Sequence, residues 1–133
     1  MSFLDWEDKY KVNVKVIDEQ HEKLFDIVNL MYESIVHGDE QNAIGEILES
    51  LISYTVYHFE TEEKLFKEYE YPKYDEHKAQ HDDLTKQVLD LQEQFDQKVV
   101  TITFDVMDFL SEWLKKHTTE SDLEFSEFYR SKI

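Results

Sequence analysis

At 133 residues and 16.1 kDa the chain has the size of one ordinary domain, and 41% hydrophobic and 14% aromatic residues are enough to close a core. A formal charge of -17, with no cluster of Lys or Arg, repels phosphate backbones and anionic lipid, so neither nucleic acid nor a membrane is an expected partner. The lack of cysteine excludes disulfides, thiolate metal sites and a Cys nucleophile; the acidic opening MSFLDWEDKYK and the lack of any 18-residue apolar run lead to the expectation of a cytoplasmic protein.

Two glycines and one proline in the whole chain favour helix throughout. Residues 1–17 are expected to form an extended N-terminal arm, with Trp6, Tyr10 and Val12 to Val16 packed across the rest. A first helix over about 18–37 follows from the steps of three and four in Ile17, His21, Leu24, Val28, Met31 and Ile35, with Asp18 as its expected cap and Gly38 as its end. His21 therefore points inward, whereas His37, beside Gly38, reads as a solvated helix-terminal side chain.

The second helix, about 40–69, carries Ile44, Leu48, Leu51, Thr55, His58, Glu62, Leu65 and Tyr69; Asp39 is the expected cap, and Pro72 requires a stop. The third, about 72–96, carries Tyr74, His77, His81, Leu84, Val88, Leu91 and Phe95, with Pro72 near its first turn. The fourth, about 103–129, carries Met107, Leu110, Leu114 and His117, with Thr101 and Thr103 as expected caps. From His117 to Asp122 the step is five residues, about 140° past a full turn of regular helix, so a shared face requires a π-type bulge or a local irregularity between them. Phe125 and Tyr129 continue the stripe from Asp122.

These stripes and short connections define an all-α fold, an antiparallel up-down-up-down four-helix bundle with an N-terminal extended arm, forming a single domain over 1–133. Trp6 and Trp113 read as packing residues. Glu46, Glu49, Asp82 and Asp83 read as solvated surface.

Each helix places ligand-type residues on its apolar stripe: His21, then His58 and Glu62, then His77 and His81, then His117 and Asp122. A lone core histidine is ordinarily a satisfied structural one, but seven inward polar groups among Leu, Ile, Val and Phe have no protein partners in sufficient number. Imidazole with carboxylate suits iron, and manganese or zinc can enter the same donor set. Two octahedral metals offer about twelve positions. Five imidazoles, two bridging carboxylates and one solvent-derived oxide or hydroxide bridge fill all but one of these. The vacancy falls on the metal with two histidines, and in an apolar pocket it suits a diatomic ligand.

The spacings exclude neighbouring motifs. No Glu stands three residues before a histidine, as ferritin-like di-iron bundles require. Phe25 occupies the place of the second histidine of a zinc-protease His-Glu-x-x-His.

The segments Asp18-Glu19-Gln20-His21, His58-x-x-x-Glu62, His77-x-x-x-His81 and Trp113-Leu114-x-x-His117-x-x-x-x-Asp122 resemble the hemerythrin family, from about Trp6 to Tyr129, and most of all its bacterial single-domain members. The resemblance implies a non-haem di-iron centre, two Fe ions with a bridging oxide or hydroxide, that binds O2 reversibly for storage, transport or delivery. It implies His77, His81 and His117 on one iron, His21 and His58 on the other, and Glu62 and Asp122 bridging. Leu114, three residues before His117, is the candidate wall of the O2 pocket. Thr118 and Thr119 stand where the family usually has an apolar residue after the histidine, a departure that bears on how dry the pocket is. An O2 or redox sensor acting through a partner, and an enzyme reducing peroxide or nitric oxide, are the alternative uses of such a centre; catalytic residues are not assigned.

Overall fold

Apolar side chains at helical spacing produce three long rods and a fourth, interrupted one. In the computed structural model, which describes residues 5–97 and 104–132, a three-ten turn at Asp8–Tyr10 leads into α1 (Lys15–His37), α2 (Gln41–Glu68) and α3 (Tyr74–Asp96). The fourth rod consists of α4 (Phe104–Lys116), a π-helical segment (His117–Asp122) and α5 (Leu123–Ser131). No strand occurs among the described residues. α1 packs on α2 and α4, and α2 packs on α3, which gives the antiparallel up-down-up-down bundle.

Capping departs from the expected pattern at two places, both involving an aspartate. α1 begins at Lys15, so Lys15, Val16 and Ile17 are helical rather than part of an extended arm, and the three-ten turn further shortens the extended stretch. Asp18 is not the cap. It lies in the first turn and accepts the amides of Val12 at 2.8 Å and Asn13 at 3.1 Å, which fixes the left-handed Asn13 (φ 64°) and seats the buried Val12 and Val14.

Asp39 does not cap α2, which Glu40 precedes without a side-chain hydrogen bond. It closes α1 instead, accepting from the Ser34 hydroxyl at 2.6 Å and from His37 Nδ1 at 2.8 Å. Gly38 turns left-handed there (φ 80°), and the amides of Gly38 and Asp39 bond back to the carbonyls of Ile35 and Ser34. α2 ends before Pro72 in the same way, with Glu70 (φ 52°) in the left-handed position and Tyr71 N–H on the Phe66 carbonyl. Thr101 and Thr103 lie outside the described residues.

Two apolar clusters divide the interior. One gathers Leu24, Val28, Leu51, Leu84, Leu110 and Leu114 with further residues of α1, α2 and α4. The other gathers Val12, Val14, Ile17, Phe66, Tyr71 and Phe125. On α1, His21 falls between Ile17 of the second cluster and Leu24 of the first; on the fourth rod, His117 and Asp122 fall between Leu114 and Phe125. The polar residues therefore occupy a layer with apolar packing on both sides. No described helix is long and apolar enough to cross a membrane.

Candidate metal centre

The structure brings all seven proposed ligands into that layer. His21, His58, Glu62, His77, His81, His117 and Asp122 are each at most 4% exposed. Donor atoms of Glu62, His77, His81, His117 and Asp122 lie within 4.8 Å of one another, as do those of His21, His58, Glu62 and Asp122. The two carboxylates belong to both sets.

Asp122 faces both ways. Its Oδ2 is 2.6 Å from His21 Nε2, while its Oδ1 is 2.9 Å from the Nε2 atoms of both His77 and His117. Glu62 touches His58 Nε2 through Oε1 at 2.6 Å and turns Oε2 toward His77 at 3.7 Å. His117 and Asp122 reach the same point because the backbone between them is π-helical, as their five-residue step requires.

Burial presses on Glu62, Asp122, His117, His81 and His21, and their neighbours decide the result. It pushes Glu62 well above the usual carboxylate range, and the charge of Asp122 adds to this. Burial works in the same direction on Asp122, but His117, His21 and His58 hold it well below that range. His117 is likewise opposed by burial, yet Asp122 and Glu62 raise it to about 9. Burial pushes His81 down to about 4 and lowers His21 despite its contact with Asp122. Without a cation, therefore, the layer favours the protonated forms of His117 and Glu62.

The donors fit metal ions better than they fit one another. His21 Nε2, His58 Nε2, both Glu62 oxygens and Asp122 Oδ2 are buried without a properly aligned hydrogen bond, although several stand 2.6 Å from a neighbour. The Nε2 atoms of His77 and His81 lie 3.3 and 3.1 Å from that of His117, so three imidazole nitrogens meet nearly head to head. Orphaned buried polar atoms cost about 1–3 kcal/mol each. Cations among them satisfy the whole set, and nitrogen with carboxylate oxygen is the donor chemistry that iron accepts.

Five further residues, Gln20, Thr61, Glu63, Phe59 and Trp113, buttress these side chains, and none of them has that role in the expectations drawn from sequence. His58 gives its Nδ1–H to Gln20 Oε1 at 2.6 Å, Gln20 gives its amide to the Thr61 hydroxyl at 3.2 Å, and Thr61 donates to the Tyr57 carbonyl at 3.0 Å. That carbonyl can only accept, so the direction of every bond follows and His58 Nε2 is left bare toward the site. His81 Nδ1 lies 3.1 Å from Glu63 Oε2. Glu63 is itself held below the usual carboxylate range: its partial burial opposes the charge, and His81 and Lys78 outweigh it. Phe59 stacks on His81 at 3.8 Å, and Trp113 on His117 at 4.5 Å, while Trp6 packs edge-on against Phe25. The signal for Gln20 and Glu63 was their position, each one residue from a ligand on the same helix.

A cavity of about 30 Å3 adjoins the layer. Its walls include Leu24, Val28, Leu51, Leu110 and Leu114 with the Phe59 and Trp113 rings, and it reaches His21, His58 and His117. Thr55 also lines it, with its hydroxyl donated to the Leu51 carbonyl at 2.7 Å. Thr118 is fully buried but does not line the cavity, and the side chain of Thr119 lies outside the described residues. The departure after His117 therefore does not place the Thr118 hydroxyl on the cavity wall.

A helical bundle with two overlapping His and carboxylate donor sets, sharing Glu62 and Asp122, defines a two-cation binding protein. A family profile described as the hemerythrin HHE cation binding domain matches residues 12–128, and the chain belongs to the hemerythrin family. The bacteriohemerythrin of Methylococcus capsulatus is 32% identical over 123 residues, which cover 92% of this chain and 93% of that protein. That of Clostridium acetobutylicum is 32% identical over 128 residues, covering 90% and 96%. A crystal structure of wild-type hemerythrin superposes with a TM-score of 0.91 at 31% identity and covers 95% of this chain and 97% of its own.

Proposed function

We propose that this chain binds O2 reversibly at two non-haem irons joined by an oxide or hydroxide bridge, and so stores, carries or delivers O2. His77, His81 and His117 hold one iron in this reading, His21 and His58 the other, and Glu62 and Asp122 bridge them. The irons, when bound, supply the electrons that a reversible O2 complex requires. The observation that carries the proposal is the cavity: it measures about 30 Å3 and reaches both histidines of the two-imidazole set, His21 and His58, but of the three-imidazole set only His117.

The space is small and lined mainly by apolar side chains, which suits a diatomic molecule better than an organic substrate and favours ligand binding over turnover. Leu114 and the other aliphatic walls would keep water from the His21 and His58 side of the layer, and Thr55 donates its hydroxyl proton to a backbone carbonyl. The proposal includes a cytoplasmic setting, which cell fractionation checks.

Metal analysis with anaerobic O2 titration tests the function. The protein is expected to hold two irons and to show an absorption spectrum that appears with O2 and reverses on its removal. His58→Ala should abolish that spectrum while the far-UV circular dichroism stays helical. An O2-linked spectrum that persists in this variant removes His58 from the site, and a single iron per chain refutes the reading.

A further inference from the structure

The two donor sets differ in what grips their imidazoles from behind. His58, in the two-imidazole set, donates to Gln20, a buried neutral amide. His81, in the three-imidazole set, faces the Glu63 carboxylate at 3.1 Å, and Lys78 Nζ stands 3.5 Å from the other Glu63 oxygen. Both partners accept a proton at Nδ1 and leave Nε2 free for a metal, so they are equivalent as hydrogen-bond acceptors. Only one of them carries a charge.

We infer that Glu63 and Gln20 are positioning residues that make the two metal sites electrically unlike, with a negative charge behind His81 and none behind His58. An imidazole bonded to a carboxylate is the more basic ligand, and partners of this kind change metal affinity by about 10–100-fold. The three-imidazole site therefore takes the first cation and favours the higher oxidation state. The cavity-facing site, without that charge, takes the second cation and returns to the ferrous state more readily. This rests on the di-iron reading above and extends it from which residues ligate to how the charge of each iron is set. Lys78 is part of the device: it pairs with Asp82 at 3.0 Å as well as with Glu63, and it tempers the Glu63 charge from the solvent side.

The test exchanges charges while preserving shape. Glu63→Gln gives His81 the same kind of partner that His58 already has, and Gln20→Glu does the reverse. Apoprotein titrated with Co2+ should bind two ions in unequal steps. Glu63→Gln should weaken the tighter step by about tenfold and leave the other unchanged, whereas Gln20→Glu should strengthen the weaker step by a similar factor. In the iron-loaded protein, Glu63→Gln should raise the lower of the two one-electron potentials; a tenfold loss of ferric preference is about 59 mV. Lys78→Met changes a half-exposed side chain and should move the same potential downward, which keeps the test available should Glu63→Gln fail to fold.

Two Co2+ ions with unmoved affinities in both exchanged variants, or potentials unmoved in Glu63→Gln and Lys78→Met, overturn this inference alone. A wild-type protein that takes up a single ion overturns the di-iron reading and this inference with it.

Discussion

The two sides of the buried layer use the same ligand chemistry in different surroundings. Around His21 and His58 the neighbours are aliphatic, Leu24, Leu51, Leu110 and Leu114 among them, and they leave a gap of about 30 Å3. Around the other three histidines the neighbours are rings: Phe59 lies flat on His81 and Trp113 on His117, and the Phe66 ring centre is 4.6 Å from that of His77. Phe59, Trp113 and His117 also border that gap, so the stacked rings form one of its walls and the aliphatic side chains form the rest. Under the proposed function, packing thus decides which side admits a small molecule, while the two donor sets decide where metals would bind.

The strongest way to break this contrast is to remove the carboxylate common to both sides. Asp122→Ala deletes the contacts to His21, His77 and His117 together. Metal analysis should show a fall from two ions per chain to one or none, and retention of two would mean that Asp122 does not bridge. Next in size is Leu114→Ala, which enlarges the cavity on the aliphatic side. It should cost about 2–5 kcal/mol in denaturant unfolding and speed oxidation of the O2-bound form; an unchanged oxidation rate would separate Leu114 from O2 access.

A pH series sharpens the contrast between empty and filled states. The folded value of His117, about 9, lies above the ordinary 6.5, so its contribution is complete below pH 6.5 and is lost as the pH rises through 9. The upward shift of Glu62 has the same sign. Metal-free protein should therefore lose stability between pH 6.5 and 9, while the loaded protein, whose cations replace those protons, should not. Denaturant midpoints across that range with and without metal decide the matter, and parallel profiles would count against a metal held by these groups. The smallest effect is expected from Thr55→Val. It removes one hydroxyl from the cavity wall, costs about 1 kcal/mol or less because the Leu51 carbonyl keeps its helical setting, and should slow oxidation of the O2-bound form.

Much of this was legible because periodicity is strict where burial is strict. His21, His58, His77 and His81 fall in step with Leu and Ile on their helices, so their inward direction followed from spacing. The break at Asp122 was legible for the same reason, since only a wider turn keeps Phe125 and an acid on one stripe with His117. The caps were less accessible. Asp18 and Asp39 have the residue type and approximate place of helix caps, but each found stronger partners across a turn: the amides of Val12 and Asn13 in one case, Ser34 and His37 in the other. Gln20 and Glu63 were hidden differently, because their partners lie on other helices, 38 and 18 residues away in the chain.

The π-helical segment leads to one more conclusion. His117 opens it and Asp122 closes it, and both belong to one donor set, so a metal held there under the proposed function would span the segment as a clasp spans a strap. A wide turn has a weaker backbone ladder than the α-helices on either side of it. Its amides should therefore exchange with solvent sooner than those of α4 and α5 in the metal-free chain. Loading should slow them more than any other amides of the fourth rod, so that occupancy becomes readable from the backbone alone.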